Sequence, residues 1–135
     1  MRRFLGLAIR RYRHDTDGAT AVEFAIVSSV FLSVIMGIAY IGIMFFNKQS
    51  LDWAVQLASR QAEINSSITQ AQLATTVNTY LNSVGLPDAT VSYSVATSNG
   101  VKTASVGAQF AQSYSVPFVS TFNITFASNE AVPQL

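Results

Sequence analysis

From Phe24 to Phe46 the chain reads FAIVSSVFLSVIMGIAYIGIMFF, an apolar run with no charge and no proline. As a helix it would be about 34 Å long, enough to cross a hydrocarbon core of about 30 Å with modest tilt. The other way to hide such a helix is to bury it on all sides in a soluble core. A chain of 135 residues carries one small domain and cannot supply that much apolar cover. Composition points the same way: half of the residues are hydrophobic and 11% are charged, where a soluble domain has about a quarter charged. The run also exceeds the roughly 7–15 apolar residues of a cleaved secretory signal, and no A-x-A-like site follows it. The expectation is a single membrane-spanning helix over 19–46 that stays with the protein.

Orientation comes from the charges. Arg2, Arg3, Arg10, Arg11 and Arg13 crowd the first thirteen residues, whereas only Lys48 follows the span closely. Basic residues stay on the cytoplasmic side, so residues 1–18 read as a basic cytoplasmic leader beside anionic lipid. A nucleic-acid patch is the weaker reading, because no basic or aromatic surface elsewhere supports it. His14, the only histidine, has no partner for a metal. There is no cysteine, which removes disulfides, thiolate metal sites, lipoprotein attachment and a cysteine nucleophile.

Two features mark the span itself. Glu23 sits among apolar neighbours in Gly18-Ala-Thr-Ala-Val-Glu23-Phe24-Ala25. An ionised carboxylate at a hydrocarbon boundary either snorkels to the headgroups or finds a cation. Second, Ala21, Ala25, Ser29, Ser33 and Gly37 succeed one another at i, i+4. A row of small residues lets another helix approach closely, as in small-xxx-small pairs. Glu23 points roughly away from this row, so the two features serve different neighbours.

The motif from Gly18 to Phe24 resembles the processing site of type IV pilins of the tight-adherence (Tad/Flp) class. More closely, DGATAVEFAIVSSVFLSVIMGIAYIG followed by a polar helix ending in AVQLASRQA is similar to TadE-like proteins, minor pilins or pseudopilins of that system. The resemblance is specific over Asp17 to Gly42, looser from Asn47 to Ala62, and architectural beyond. It implies that a prepilin peptidase cuts between Gly18 and Ala19, leaving Glu23 as the fifth mature residue with Phe24 after it. The new α-amino group would need a counter-charge, which Glu23 could supply to its own or a neighbouring subunit. Such a pair is weak evidence for stability and a reasonable device for setting helix register. The resemblance further implies a bacterial inner membrane, other pilin and pseudopilin subunits contacting the transmembrane helix, and an inner-membrane pilus assembly platform as partners.

Beyond the span, Asn47, Lys48, Gln49, Ser50 and Asp52 mark the outer interface, with Tyr40 and Trp53 as amphipathic anchors. Leu51, Val55, Ala58 and Ala62 keep helical spacing, which predicts an amphipathic stalk over 47–66. Ser67 and Gln70 have capping-box spacing for a second helix, with Leu73, Val77, Leu81 and Val84 on one face and Gly85 and Pro87 beyond its end. From Thr90 the period becomes two. Val91, Tyr93 and Val95 alternate, Asn99-Gly100 signals a type I′ hairpin, and Val101 to Phe110 returns with Ala104, Val106, Ala108 and Phe110 inward. After Pro117, Phe122, Ile124 and Phe126 alternate as a third strand. Residues 67–135 are thus expected to form an extracytoplasmic α+β domain, one helix on a three-stranded antiparallel sheet. That arrangement is pilin-like by the resemblance.

No catalytic constellation is visible. Asp52, Glu63, Asp88 and Glu130 share no motif, the serines and threonines have no base, and no phosphate-binding glycine loop occurs. Asn123-Ile124-Thr125 matches a glycosylation sequon inside an expected strand and carries little weight. No cofactor, metal or nucleic acid is expected, and enzymatic activity is not. The preferred reading is a minor pilin or pseudopilin. The alternatives are an uncleaved single-pass scaffold of the same apparatus and a membrane-anchored ligand-binding module.

Overall fold

A computed structural model describes residues 16–115 and 120–134. The five leader arginines, His14 and Pro117 lie outside the described residues. Helix α1 runs Thr16–Ile64 and α2 Gln70–Ser83, and the strands are β1 Thr90–Ser98, β2 Val101–Tyr114 and β3 Phe122–Pro133. The architecture is the expected α+β one: a long apolar N-terminal helix, a second helix and a three-stranded antiparallel sheet in the order β1-β2-β3. The chain divides into two compact units between Ala39 and Tyr40.

In the first unit α1 is bare. Val22, Phe24, Ile26, Val30, Phe31 and Leu32 are all more than half exposed, and none of the apolar segment is buried. An apolar surface this continuous is not left facing water by a monomeric soluble protein. In length and composition the helix suits a single pass through a membrane.

The second unit is built around the remainder of α1. Leu51, Ala54, Val55, Ala58 and Ala62 are fully buried, one helical face at i+3 and i+4 steps. Alanine at 54, 58 and 62 keeps that face flat, so an opposing layer can come close to the helix backbone. The expected stalk face of Leu51, Val55, Ala58 and Ala62 therefore belongs to the domain's own core, together with Leu73, Val77 and Leu81 of α2 and Val106, Phe110 and Phe126 of the sheet. Fully burying each leucine or valine contributes at most about 1.5–3 kcal/mol.

Local chemistry sets the ends of α2. Its capping box uses Thr69 and Gln72, with Thr69 Oγ1 accepting from the Gln72 N–H while Gln72 Oε1 accepts from the Thr69 N–H. The Ser67–Gln70 spacing suggests a cap two residues earlier. Ser67 is engaged in the turn instead, its N–H and hydroxyl both donating to Asn65 Oδ1. At the other end the Leu86 N–H donates to the Leu81 carbonyl and the Gly85 N–H to the Asn82 carbonyl, a Schellman stop that needs Gly85 at φ +77°. Two side chains then tie α2 to the entry of β1. Gln70 Nε2 donates to the Val91 carbonyl (2.7 Å) and Asn78 Oδ1 accepts from the Ala89 N–H (2.9 Å).

The sheet keeps its period-two pattern. Asn99 (φ 51°) and Gly100 (φ 80°) make the turn that joins Ser98 to Val101, both left-handed as a type I′ hairpin requires. Val91, Tyr93 and Val95 pair with Ala108, Val106 and Ala104, so their side chains share the inner face. Phe126 pairs with Phe110, their ring centroids 5.3 Å apart. β2 runs four residues beyond Phe110 and β3 seven beyond Phe126, further than the alternating apolar positions reach. The outer face of β1 and β2 carries Ser92, Ser94, Ser105, Gly107 and Gln109, small and uncharged, as suits the solvated face of an antiparallel sheet.

Candidate site for helix packing and processing

Every candidate residue lies on α1, within the first unit. Gly18 and Ala19 are exposed and helical, so the expected scissile bond is part of the helix. A Cβ added to Gly18 would meet nothing within 4 Å, and its φ is not left-handed. The fold therefore does not demand glycine here, and any requirement for it must come from recognition. Glu23 and Phe24 are exposed one turn further on, Phe24 at 73%.

Ala21, Ala25, Ser29 and Ser33 are exposed and Gly37 is half-exposed, with nothing within 4 Å of a Cβ built on Gly37. Rows at i, i+4 run obliquely across a helix, inclined to its axis by about 26°. The row is thus a shallow oblique groove flanked by Phe31, Leu32, Ile35 and Met36, each at least 46% exposed. Its two hydroxyls are already satisfied: Ser29 Oγ donates to the Ile26 carbonyl and Ser33 Oγ to the Ser29 carbonyl, both at 2.8 Å. That matters in hydrocarbon, where an unpaired hydroxyl is costly. It also means the serines offer small size to a neighbour rather than free donors. Glu23 is two residues from Ala21 and from Ala25, about 160° around the helix from each.

The second unit presents a different kind of site. Tyr40 Oη donates to the Ser115 carbonyl (2.6 Å), and its ring sits edge-on to Tyr114 at 6.0 Å. Asn47, 2% exposed, donates from Nδ2 to Tyr114 Oη (2.7 Å), and Tyr114 stacks on Phe122. Lys48 Nζ bridges Asp52 and the Ala127 carbonyl. Sequence reasoning missed this cluster, treating Tyr40 as a membrane anchor and Asn47 as an interface marker. The signal available was a lone amide directly after Phe45-Phe46, at a position one turn before the buried Leu51.

The outer sheet face has a shallow depression over Gly107, between Ser92 and Asn129. Its lining is uncharged and pairs no nucleophile with a base. Among the described residues no three His, Cys, Asp or Glu side chains gather to hold a metal. Asn123 of the sequon is in β3, where its Oδ1 accepts from Ser113 Oγ (2.6 Å).

No curated protein sequence and no solved structure matches the chain. The model of the TadE-like protein family matches residues 18–60, which begin at Gly18, take in every candidate packing residue and run on into the buried part of α1. Over this helix the chain is similar to the TadE-like family.

Proposed function

We propose that the protein is a non-enzymatic minor pilin or pseudopilin that takes part in assembling a tight-adherence pilus. In this reading the basic leader holds the precursor in the bacterial inner membrane, N-terminus inside, until a prepilin peptidase cuts between Gly18 and Ala19. The new amine pairs with Glu23, and the mature helix packs on other pilin helices through the oblique row from Ala21 to Gly37. The α+β domain faces outward, and an inner-membrane assembly platform receives the subunit. The observation that carries the reading is the family match over 18–60, which coincides with an uncovered apolar helix bearing both motifs.

One observation favours an uncleaved scaffold of the same apparatus. The Gly18–Ala19 bond lies in helical backbone, and a protease must unwind that turn before cutting. The decisive measurement is intact mass and N-terminal sequence of the membrane-extracted protein, with and without a co-expressed prepilin peptidase. A mature chain starting at Ala19, lost in Gly18→Ala, supports the pilin reading. A chain keeping its leader under both conditions refutes processing and leaves the scaffold.

A further inference from the structure

The extent of the apolar run and the packing of the domain disagree over where the hydrocarbon ends. If the membrane reached Phe46, Tyr40 would lie about 9 Å inside it. Yet Tyr40 Oη is bonded to the Ser115 carbonyl, its ring lies against Tyr114, and Asn47 is bonded to the Tyr114 hydroxyl. Those bonds put the end of β2, and Phe122 stacked on it at the start of β3, level with residues 40–47 of the helix. Thr121, exposed and just outside β3, would then carry its backbone groups into hydrocarbon without a sheet partner, and the Ser115 carbonyl would have the Tyr40 hydroxyl alone. Each such group costs several kcal/mol there. The boundary must fall near Tyr40. A helix from Ala19 to Ala39 is about 31 Å long and fills the bilayer without the last seven apolar residues.

What, then, covers those seven? Ile41 (54% exposed), Ile43 (47%), Phe45 (68%) and Phe46 (51%) surround the helix wherever the sheet does not. In the sequence they follow residues 19–39 directly, with no charged residue between. Aromatic rings dominate this end of the domain: Tyr40, Tyr114 and Phe122 in contact, Phe45 and Phe46 outward. That is the composition of a membrane–water interface belt. No acidic residue occurs in 40–51 or 109–129, so nothing on this surface repels anionic headgroups.

We propose that the domain is seated directly in the headgroup layer of the outer leaflet by this aromatic end, with a lipid surface as its partner and no stalk between. The proposal rests on α1 spanning the bilayer, and the test separates the two. The chain has no cysteine, so single labels are unambiguous. Full-length protein carrying an environment-sensitive fluorophore at Ser115→Cys, Ser120→Cys, Asn99→Cys or Val34→Cys is reconstituted at low density in phosphatidylcholine–phosphatidylglycerol vesicles. Nitroxides on the lipid headgroup or acyl chain then quench the label. Asn99, in the turn beyond the far end of β2, is roughly 45 Å from Tyr114 and serves as the water-side reference. Seating predicts headgroup quenching at Ser115 and Ser120 several-fold above that at Asn99, with Val34 quenched by the acyl-chain probe. Val34 quenched with Ser115 and Ser120 no different from Asn99 would overturn the seating and leave the patch to a protein partner. Val34 unquenched would overturn the span, and the seating with it.

Discussion

The bond between Asn47 and Tyr114 offers the sharpest test of the domain's packing. Asn47 is 2% exposed, Tyr114 4%, and the bond between them is 2.7 Å. Asn47→Ala removes a net contribution of about 1 kcal/mol and strands a buried hydroxyl, at about 1–3 kcal/mol more. A small void adds to this, so the expected loss is about 2–4 kcal/mol. Tyr114→Phe strands the Asn47 amide instead and should cost about 1–3 kcal/mol. Replacing both partners, Asn47→Leu with Tyr114→Phe, leaves no orphan. That double variant should lie within about 1 kcal/mol of the parent, because apolar groups of similar shape are nearly neutral in place of a buried pair. The assay is urea unfolding of the full chain in detergent micelles, monitored by the single tryptophan, Trp53, which stands on the α1 segment of the same unit. A double-mutant cycle, closed by the single variant Asn47→Leu, isolates the pair term. Single variants within about 0.5 kcal/mol of the parent, with additive effects in the double, would refute the burial of this pair and the packing of Tyr114 against α1.

Leu51→Ala, at a fully buried position of the same face, should lower stability by about 2–5 kcal/mol in the same titration. Gly85→Ala forces a Cβ into left-handed backbone with open space around it, so strain is the only cost; the expected loss is about 1–2 kcal/mol. Gly37→Ile fills the oblique groove where no atom of the chain lies within 4 Å. Urea unfolding should be unchanged, while self- or co-association of the helix, read by energy transfer between labelled chains in micelles, falls at least several-fold. Gly18→Ala should leave circular dichroism unchanged or slightly more helical, since alanine favours a helix by about 1 kcal/mol over glycine.

Much of this architecture was legible in the chain because its signals are local. The uncharged run, the Asn99-Gly100 turn and the alternation of Val91, Tyr93 and Val95 each report a property of a few neighbouring residues. Gly85 was legible for the same reason, as a stop directly after Val84, the last apolar position at helical spacing. The misplaced cap shows the limit of such reasoning. Ser67 and Thr69 both stand three residues before a glutamine, and only the capture of Ser67 by Asn65 decides between them. The periodicity of Leu51, Val55, Ala58 and Ala62 revealed an apolar face but could not reveal what covers it. The cover is the second helix together with a sheet that starts about thirty residues later in the chain. Likewise the polarity step after Phe46 marks where the residues change, while the pairing of Tyr40 with Ser115 depends on a strand more than seventy residues away.

Both halves of α1 carry small residues at the same i, i+4 spacing, one row covered and the other bare. In the domain, Ala54, Ala58 and Ala62 repeat at i, i+4, and all three are fully buried. Side chains of the second helix and the sheet cover that row, and water drives the closure by the burial of apolar surface. In the first unit the row from Ala21 to Gly37 repeats at the same spacing and is uncovered. Lipid gives no hydrophobic drive to cover it, so only close van der Waals packing against another helix rewards the shape. The paired hydroxyls of Ser29 and Ser33 remove the penalty for leaving the row in lipid before that partner arrives. On the proposed function, a helix built this way is stable alone in the membrane and gains on meeting a second helix. A subunit that waits in a bilayer and is then packed into an assembly needs both properties, and a permanent anchor needs only the first.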